Sequence, residues 1–171
     1  MHKSYVNVYE DRIGFLSSKI LNLIKYYHQL NALSIDQLDQ LNFDQLKKYK
    51  ETMYEAQTMS LEVIFEYEEI RRLIEMKMRK EKDESLFRRL NFLHNLLIEG
   101  KNIKKEVLET HLEIFQGYLR FFDFIEKNWS HYDEIKKGNF NFLKNKKEVE
   151  KYKENLSHIS KKVNWIRNNS N

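Results

Sequence analysis

VNVYEDRIGFLSSKILNLIKYYHQL, residues 6–30, sets apolar side chains at Val6, Tyr9, Ile13, Leu16, Ile20, Leu23, Tyr27 and Leu30. The intervals alternate between three and four without a break, which is the seam of a helix packed lengthwise on another. A first helix over about residues 5–30 is predicted. Gly14 lies inside it and weakens it, but the register passes through. So narrow a seam needs long neighbours to cover it, and the rest of the chain supplies them.

Ser34-Ile-Asp-Gln-Leu-Asp-Gln-Leu-Asn-Phe-Asp-Gln-Leu46 holds two pairs at capping-box spacing, Ser34 with Gln37 and Asn42 with Gln45. It reads as a short connecting helix, then a long one over about 43–80. The stripe of that helix is Leu46, Tyr49, Met53, Ala56, Ser60, Val63, Tyr67, Ile70 and Ile74. Residues 80–85, KEKDES, have no apolar side chain and make the turn. A third stripe runs Leu86, Leu90, Leu93 and Leu97, and holds its register past Gly100 through Val107, His111, Ile114, Tyr118, Phe121 and Ile125. Unbroken phase predicts one helix over about 85–130, roughly 68 Å at 1.5 Å per residue. The rival reading has Gly100 cap one helix and Asn102 open another. Gly138, Asn139 and Asn141 mark the next boundary. A last helix then shows Val149, Tyr152, Leu156, Ile159, Val163 and Ile166 on one narrow line.

Composition agrees with an all-α chain. Its 171 residues suit one domain. Proline is absent, glycine appears 4 times, and 33% of residues are charged; sheet and loop-rich folds need those two residues at their turns. The expected architecture is an elongated antiparallel bundle of three long helices over 1–137. A basic amphipathic C-terminal helix over 138–171 follows, on a joint that lets it move. Cysteine is absent, which excludes a disulfide framework, a thiolate nucleophile and cysteine-bound zinc. Glu10, Asp11 and Arg12 stand where a signal peptide would be apolar, and no run approaches the roughly 18 apolar residues of a membrane span. A soluble, cytoplasmic protein is expected. Residues 31–70 hold 9 acidic and 3 basic side chains, residues 136–171 hold 3 and 10. The basic tail reads as a solvated lysine face rather than a nucleic-acid surface, because aromatics are not interleaved with arginine there.

Chemistry is sparse. None of the histidines His28, His94, His111, His131 and His158 has a glutamate three residues before it, so the carboxylate-bridged di-metal pattern is missing. Glu62, Glu66 and Glu69 share one helix face, and Glu106, Glu109 and Glu113 another; both read as ion-paired rows rather than metal sites. No catalytic residue, cofactor or metal is expected. Arg89-Leu-Asn-Phe-Leu-His94 fits the Arg-x4-His spacing of the HEPN superfamily, which includes metal-independent ribonucleases. That resemblance would give Arg89 the phosphate and His94 the attacking hydroxyl. Chance supplies about one such match in a chain of this composition, and Leu90 stands where the family commonly has a polar residue. The aromatic segment 115–132 stands out, with Phe115, Tyr118, Phe122 and Trp129 beside Phe121, Phe124 and Tyr132. So broad an apolar face reads first as core, and second as a place for a partner.

The leading heptad helix, the connector Asp36-Gln-Leu-Asp-Gln-Leu41 and the stretch from Leu86 to Asn102 running into the third helix resemble the FlgN/FliT-like flagellar export chaperones. The resemblance implies a non-enzymatic chaperone that holds an unassembled hook–filament junction protein. Partner binding is expected on Val149, Tyr152, Leu156, Ile159, Val163 and Ile166 of a loosely packed last helix, with Phe115, Tyr118, Phe122 and Trp129 beside them. The alternatives are the HEPN-like ribonuclease and a purely structural coiled-coil subunit, and a homo-oligomer stays open.

Overall fold

Val6, Tyr9, Ile13, Leu16, Ile20 and Leu23 are all buried. They lie on α1, Tyr5–Asn31, as their spacing predicts. The computed structural model describes the backbone of residues 5–31 and 41–169, and the side chains of 5–26 and 41–169. The seam positions Tyr27 and Leu30, the Ser34–Gln37 pair and the connecting helix lie outside the described side chains and residues. The second capping pair forms. Gln45 N donates to Asn42 Oδ1 at 2.8 Å and Asn42 N donates to Gln45 Oε1 at 2.9 Å. It opens α2, Phe43–Met78, about 54 Å long at 1.5 Å per residue. Its stripe is buried throughout, apart from the half-buried Tyr49.

The polar flanks set the direction of packing. Arg12 meets Glu66 and Glu69, Lys19 meets Glu62, and the Tyr26 hydroxyl meets Glu55. Numbers rise along α1 as they fall along α2, so the two are antiparallel. α3, Glu84–Glu99, opens on Asp83, whose carboxylate accepts from Leu86 N at 2.9 Å. It lies against the C-terminal part of α2, with His94 Nε2 3.2 Å from Glu75. α4, Lys105–Lys127, lies against the N-terminal part, where Tyr49 stacks on Phe122 and Lys50 is 2.7 Å from Asp123.

The long third helix expected over 85–130 is therefore two helices, placed end to end along α2. Gly100 ends the first, and its N–H still reaches Leu96 O at 3.0 Å. A Cβ at Gly100 would lie 2.4 Å from that oxygen and 2.7 Å from the buried Ile103 side chain, so only glycine fits this close return. Ile103 N and Lys104 N both fold back onto Gly100 O, and Lys104, not Asn102, opens α4. The Leu97 carbonyl, freed at the end of α3, accepts from the buried Tyr67 hydroxyl at 3.3 Å. The unbroken phase does not mark one continuing face: on α4 the in-phase Val107 and Ile114 pack with Ile166 near the C-terminal end of the chain, while Phe122, one position on from the stripe's Phe121, meets Tyr49 of α2.

α4 stops at Asn128, whose Nδ2 donates to Phe124 O at 2.8 Å. A 3-10 turn, Trp129–His131, leads into the short α5, Tyr132–Lys136. Gly138 ends α5 with φ +70°, and its N–H and that of Asn139 return to Ile135 O and Glu134 O. This is the left-handed stop that glycine allows without strain. α6, Lys146–Asn169, then runs back antiparallel along α4. The fold is all-α, with no strand among the described residues.

Candidate functional site

The seam of α6 faces α4 in this structure. Tyr152, Ile159 and Ile166 are buried, while Val149, Leu156 and Val163 are half-buried. Ile159 presses on Gly117, where a Cβ would sit 2.6 Å from Ile159 Cγ1. Asn155 pins the same spot: its Nδ2 donates to Gly117 O at 2.9 Å and its Oδ1 accepts from Arg120 Nε at 3.0 Å. Tyr152 sits against Phe124 and Phe140, with ring centroids 4.3 and 5.4 Å away. Burial pushes its hydroxyl up to about 12, with Tyr132 adding to the effect. The joint is anchored as well, with Phe140 beside Phe124 and Phe142 stacked on His131 at 4.3 Å.

The helix expected over 139–171 to sit loosely or to detach lies in this structure against α4, over Lys146–Asn169. One premise of that expectation holds: so narrow a seam takes a single partner helix, and the lysines on its other faces keep their water. The partner is α4, because Gly117 opens a slot for Ile159. The aromatic set falls inside too. Phe115 and Phe122 are core residues, Tyr118 stacks on Phe122, and Trp129 stacks on Tyr132 and packs on Phe43. The residues expected to meet a partner are spread along α4 and α6, from Ile166 beside Val107 and Ile114 at one end to Trp129 beside Tyr132 and Phe43 at the other.

Arg89 and His94 are not brought together. Arg89 Nη2 reaches back to Asn7 at 3.0 Å and Glu10 at 2.7 Å on α1, whereas His94 turns to Glu75 on α2. Among the described residues, five of the six glutamates in the two rows are ion-paired, all but Glu106. Glu66 and Glu69 clasp Arg12, Glu62 takes Lys19, and Glu113 takes Lys162 at 2.7 Å. Burial works against the Arg12 charge, and the bonds to Glu66 and Glu69 more than offset it, holding the guanidinium above its ordinary value. No group of three or more acidic or histidine side chains among the described residues is arranged to hold a metal. A groove of about 590 Å³ between α4 and α6 has Arg120, Lys127, Lys151 and His158 on its walls. Glu148 and Glu154 stand among them, so it offers little excess positive charge.

What the structure leaves open is a set of exposed apolar side chains that sequence reasoning missed. Phe65 is 71% exposed, Phe92 67%, Leu21 61%, Phe15 60%, and Tyr54 and Leu61 51% each. They lie on α1, α2 and α3, three helices that pack on each other pairwise. On α2 the exposed line is Tyr54, Thr58, Leu61 and Phe65, at intervals of four, three and four. That second seam was visible in the residues, alongside the buried one.

The fold is all-α, with large apolar side chains exposed on α1, α2 and α3. Comparison with protein-family models, with curated proteins and with solved structures finds no match.

Proposed function

We propose that the protein is a non-enzymatic helical binding protein, a chaperone or adaptor that holds another protein through helix–helix contacts. The observation that carries this reading is the set of large apolar side chains left exposed on α1, α2 and α3, of which Phe65 and Phe92 are the most exposed. Tyr54, Leu61 and Phe65 follow one another along one face of α2 at helical spacing, and an exposed apolar line of that kind favours a partner helix that covers it. The side chains with acid–base capacity support the same reading, since Arg89, His94, Glu62, Glu66, Glu69 and Glu113 are engaged in pairs that tie helices together. No helix among the described residues is long and apolar enough to cross a membrane.

In its narrower form, drawn from the resemblance to the FlgN/FliT-like proteins, the partner is an unassembled hook–filament junction protein met in the cytoplasm. The test is co-purification from native cells with the full chain and with Phe65→Ala/Phe92→Ala, read by mass spectrometry. A protein recovered with the first and lost with the second, at equal helicity, is the expected outcome. Equal recovery by both would remove this surface from the function. A junction protein among those lost would support the narrower form.

A further inference from the structure

We propose that the outer ridge of α2 is the docking site for an amphipathic helix of another protein, one whose apolar seam is flanked by lysine and arginine. This rests on the reading of the chain as a helix-binding protein and names the chemistry of what it binds.

Both sides of α2 are occupied. Glu62, Glu66 and Glu69 turn toward α1, where Lys19 and Arg12 receive them. Lys50 and Glu68 turn toward α4, where Asp123 and Lys105 receive them. At 3.6 residues per turn, the line of Tyr54, Thr58, Leu61 and Phe65 falls between these flanks and away from the core. It spans three turns, with intervals that match the seam of a second helix laid alongside.

Charge selects the occupant. From Glu51 to Ile70 there are six glutamates and no lysine or arginine. Arg12, Lys19, Lys105 and Arg71 reach in from outside that stretch, so carboxylates outnumber the cations that meet them by six to four. Glu51 and Glu55, both exposed, flank Tyr54 with no ion pair among the described residues. A second copy placed ridge on ridge would bring two carboxylate-rich ridges together, with Glu51 and Glu55 outside any ion pair among the described residues of each, which is repulsive. The α6 helix of a second copy, though basic, has its seam against α4. The carboxylates likewise repel nucleic acid and anionic lipid. A cationic flank on a foreign helix gains by the same measure, mainly in selectivity and on-rate.

The experiment titrates the full chain with two synthetic helices of about 18 residues, long enough to be stabilised on docking. They share one leucine seam and differ only in flanking lysines or glutamates; fluorescence anisotropy is read at about 0.05 and about 0.5 M salt. The lysine-flanked helix is expected to bind about tenfold or more tighter at low salt, with the preference shrinking at high salt. Leu61→Ala/Phe65→Ala should weaken it about tenfold or more at unchanged helicity, since both side chains are exposed. Glu51→Lys/Glu55→Lys should erase the preference while leaving the seam. Equal binding of both peptides, lost in Leu61→Ala/Phe65→Ala, overturns the charge argument and leaves the helix-binding reading standing. Binding that ignores Leu61 and Phe65 places the site elsewhere and overturns the proposal. Failure of both peptides overturns the proposal, while the helix-binding reading stands or falls on the co-purification. A wild-type dimer that Phe65→Ala dissolves makes the occupant a second copy, and overturns it as well.

Discussion

Replacing Gly117 by alanine tests how α6 is held, and Gly14 supplies the control. Both glycines lie inside helices, so alanine at either gains about 0.5–1 kcal/mol of helical preference. A Cβ at Gly14 meets nothing within 4 Å, and Gly14→Ala should keep the whole gain. A Cβ at Gly117 would sit 2.6 Å from Ile159 Cγ1 and 3.3 Å from its Cδ1. Those atoms belong to a branched side chain that is 3% exposed, and they have no free space to retreat into. Overpacking of this kind costs about 1–3 kcal/mol. Gly117→Ala should therefore fall between neutral and about 2.5 kcal/mol less stable than wild type. The two variants should differ by the packing cost, about 1–3 kcal/mol, or roughly 2–12 °C in Tm for a chain of this size. Circular-dichroism melts and urea titrations of the two single variants give the number. Ile159→Ala alone should cost about 2–5 kcal/mol, and adding Gly117→Ala to it should recover part, with a coupling of about 1 kcal/mol or more. A Gly117→Ala protein as stable as Gly14→Ala would refute the docking of α6 at this point.

His111 is buried on α4, and desolvation lowers its pKa to about 4. The unfolded chain takes up that proton near 6.5, so stability is complete above pH 6.5. It is lost as pH falls toward 4, by about 3 kcal/mol in all; urea midpoints against pH should show this, and His111→Phe should flatten that part of the curve. Lys50 is held above its ordinary value because the bonds to Asp123 and Glu126 outweigh burial, which acts the other way. Lys50→Met leaves those two carboxylates facing each other and should cost about 1–2 kcal/mol, between the exposed and buried limits for a broken ion pair; the urea midpoint checks it. RNA incubated with wild type and with His94→Ala should stay intact in both, and cleavage that vanishes only in the variant would restore the ribonuclease reading. Tyr67→Phe frees the Leu97 carbonyl and should cost about 1 kcal/mol in the same melts.

The helices were legible in the residues because each turns one line of apolar side chains to a neighbour. α1 and α2 follow from Val6 to Leu23 and from Leu46 to Ile74 almost residue by residue. The break at Gly100 was not legible from phase. Periodicity records that a face is covered and not by which helix: Leu90 to Leu97 lie on the buried face of α3, while across the gap Val107 and Ile114 pack with Ile166 of α6 and it is Phe122 that meets Tyr49 of α2. The cue was steric, a glycine that has to approach a carbonyl from its own last turn, and no spacing rule carries that. The destination of α6 was hidden for a related reason. A narrow seam states that there is one partner, and only the missing side chain at Gly117, 42 positions before Ile159, says which. The outward ridge of Tyr54, Leu61 and Phe65 was overlooked because one stripe per helix satisfies a simple bundle, and α2 carries two.

Placing the Gly117 slot on α4 and its plug on α6 has a consequence during synthesis. At about 5–20 residues per second, the stretch from Gly117 to Ile159 takes roughly 2–8 s to make. Over that interval α1, α2 and α3 can already close on one another, whereas the side of α4 that carries Val107, Ile114 and Phe121 has nothing to cover it. The nascent chain thus presents for seconds a sticky strip that the finished molecule hides. Any delay in translating the lysine-rich codons of 144–153 would lengthen that window.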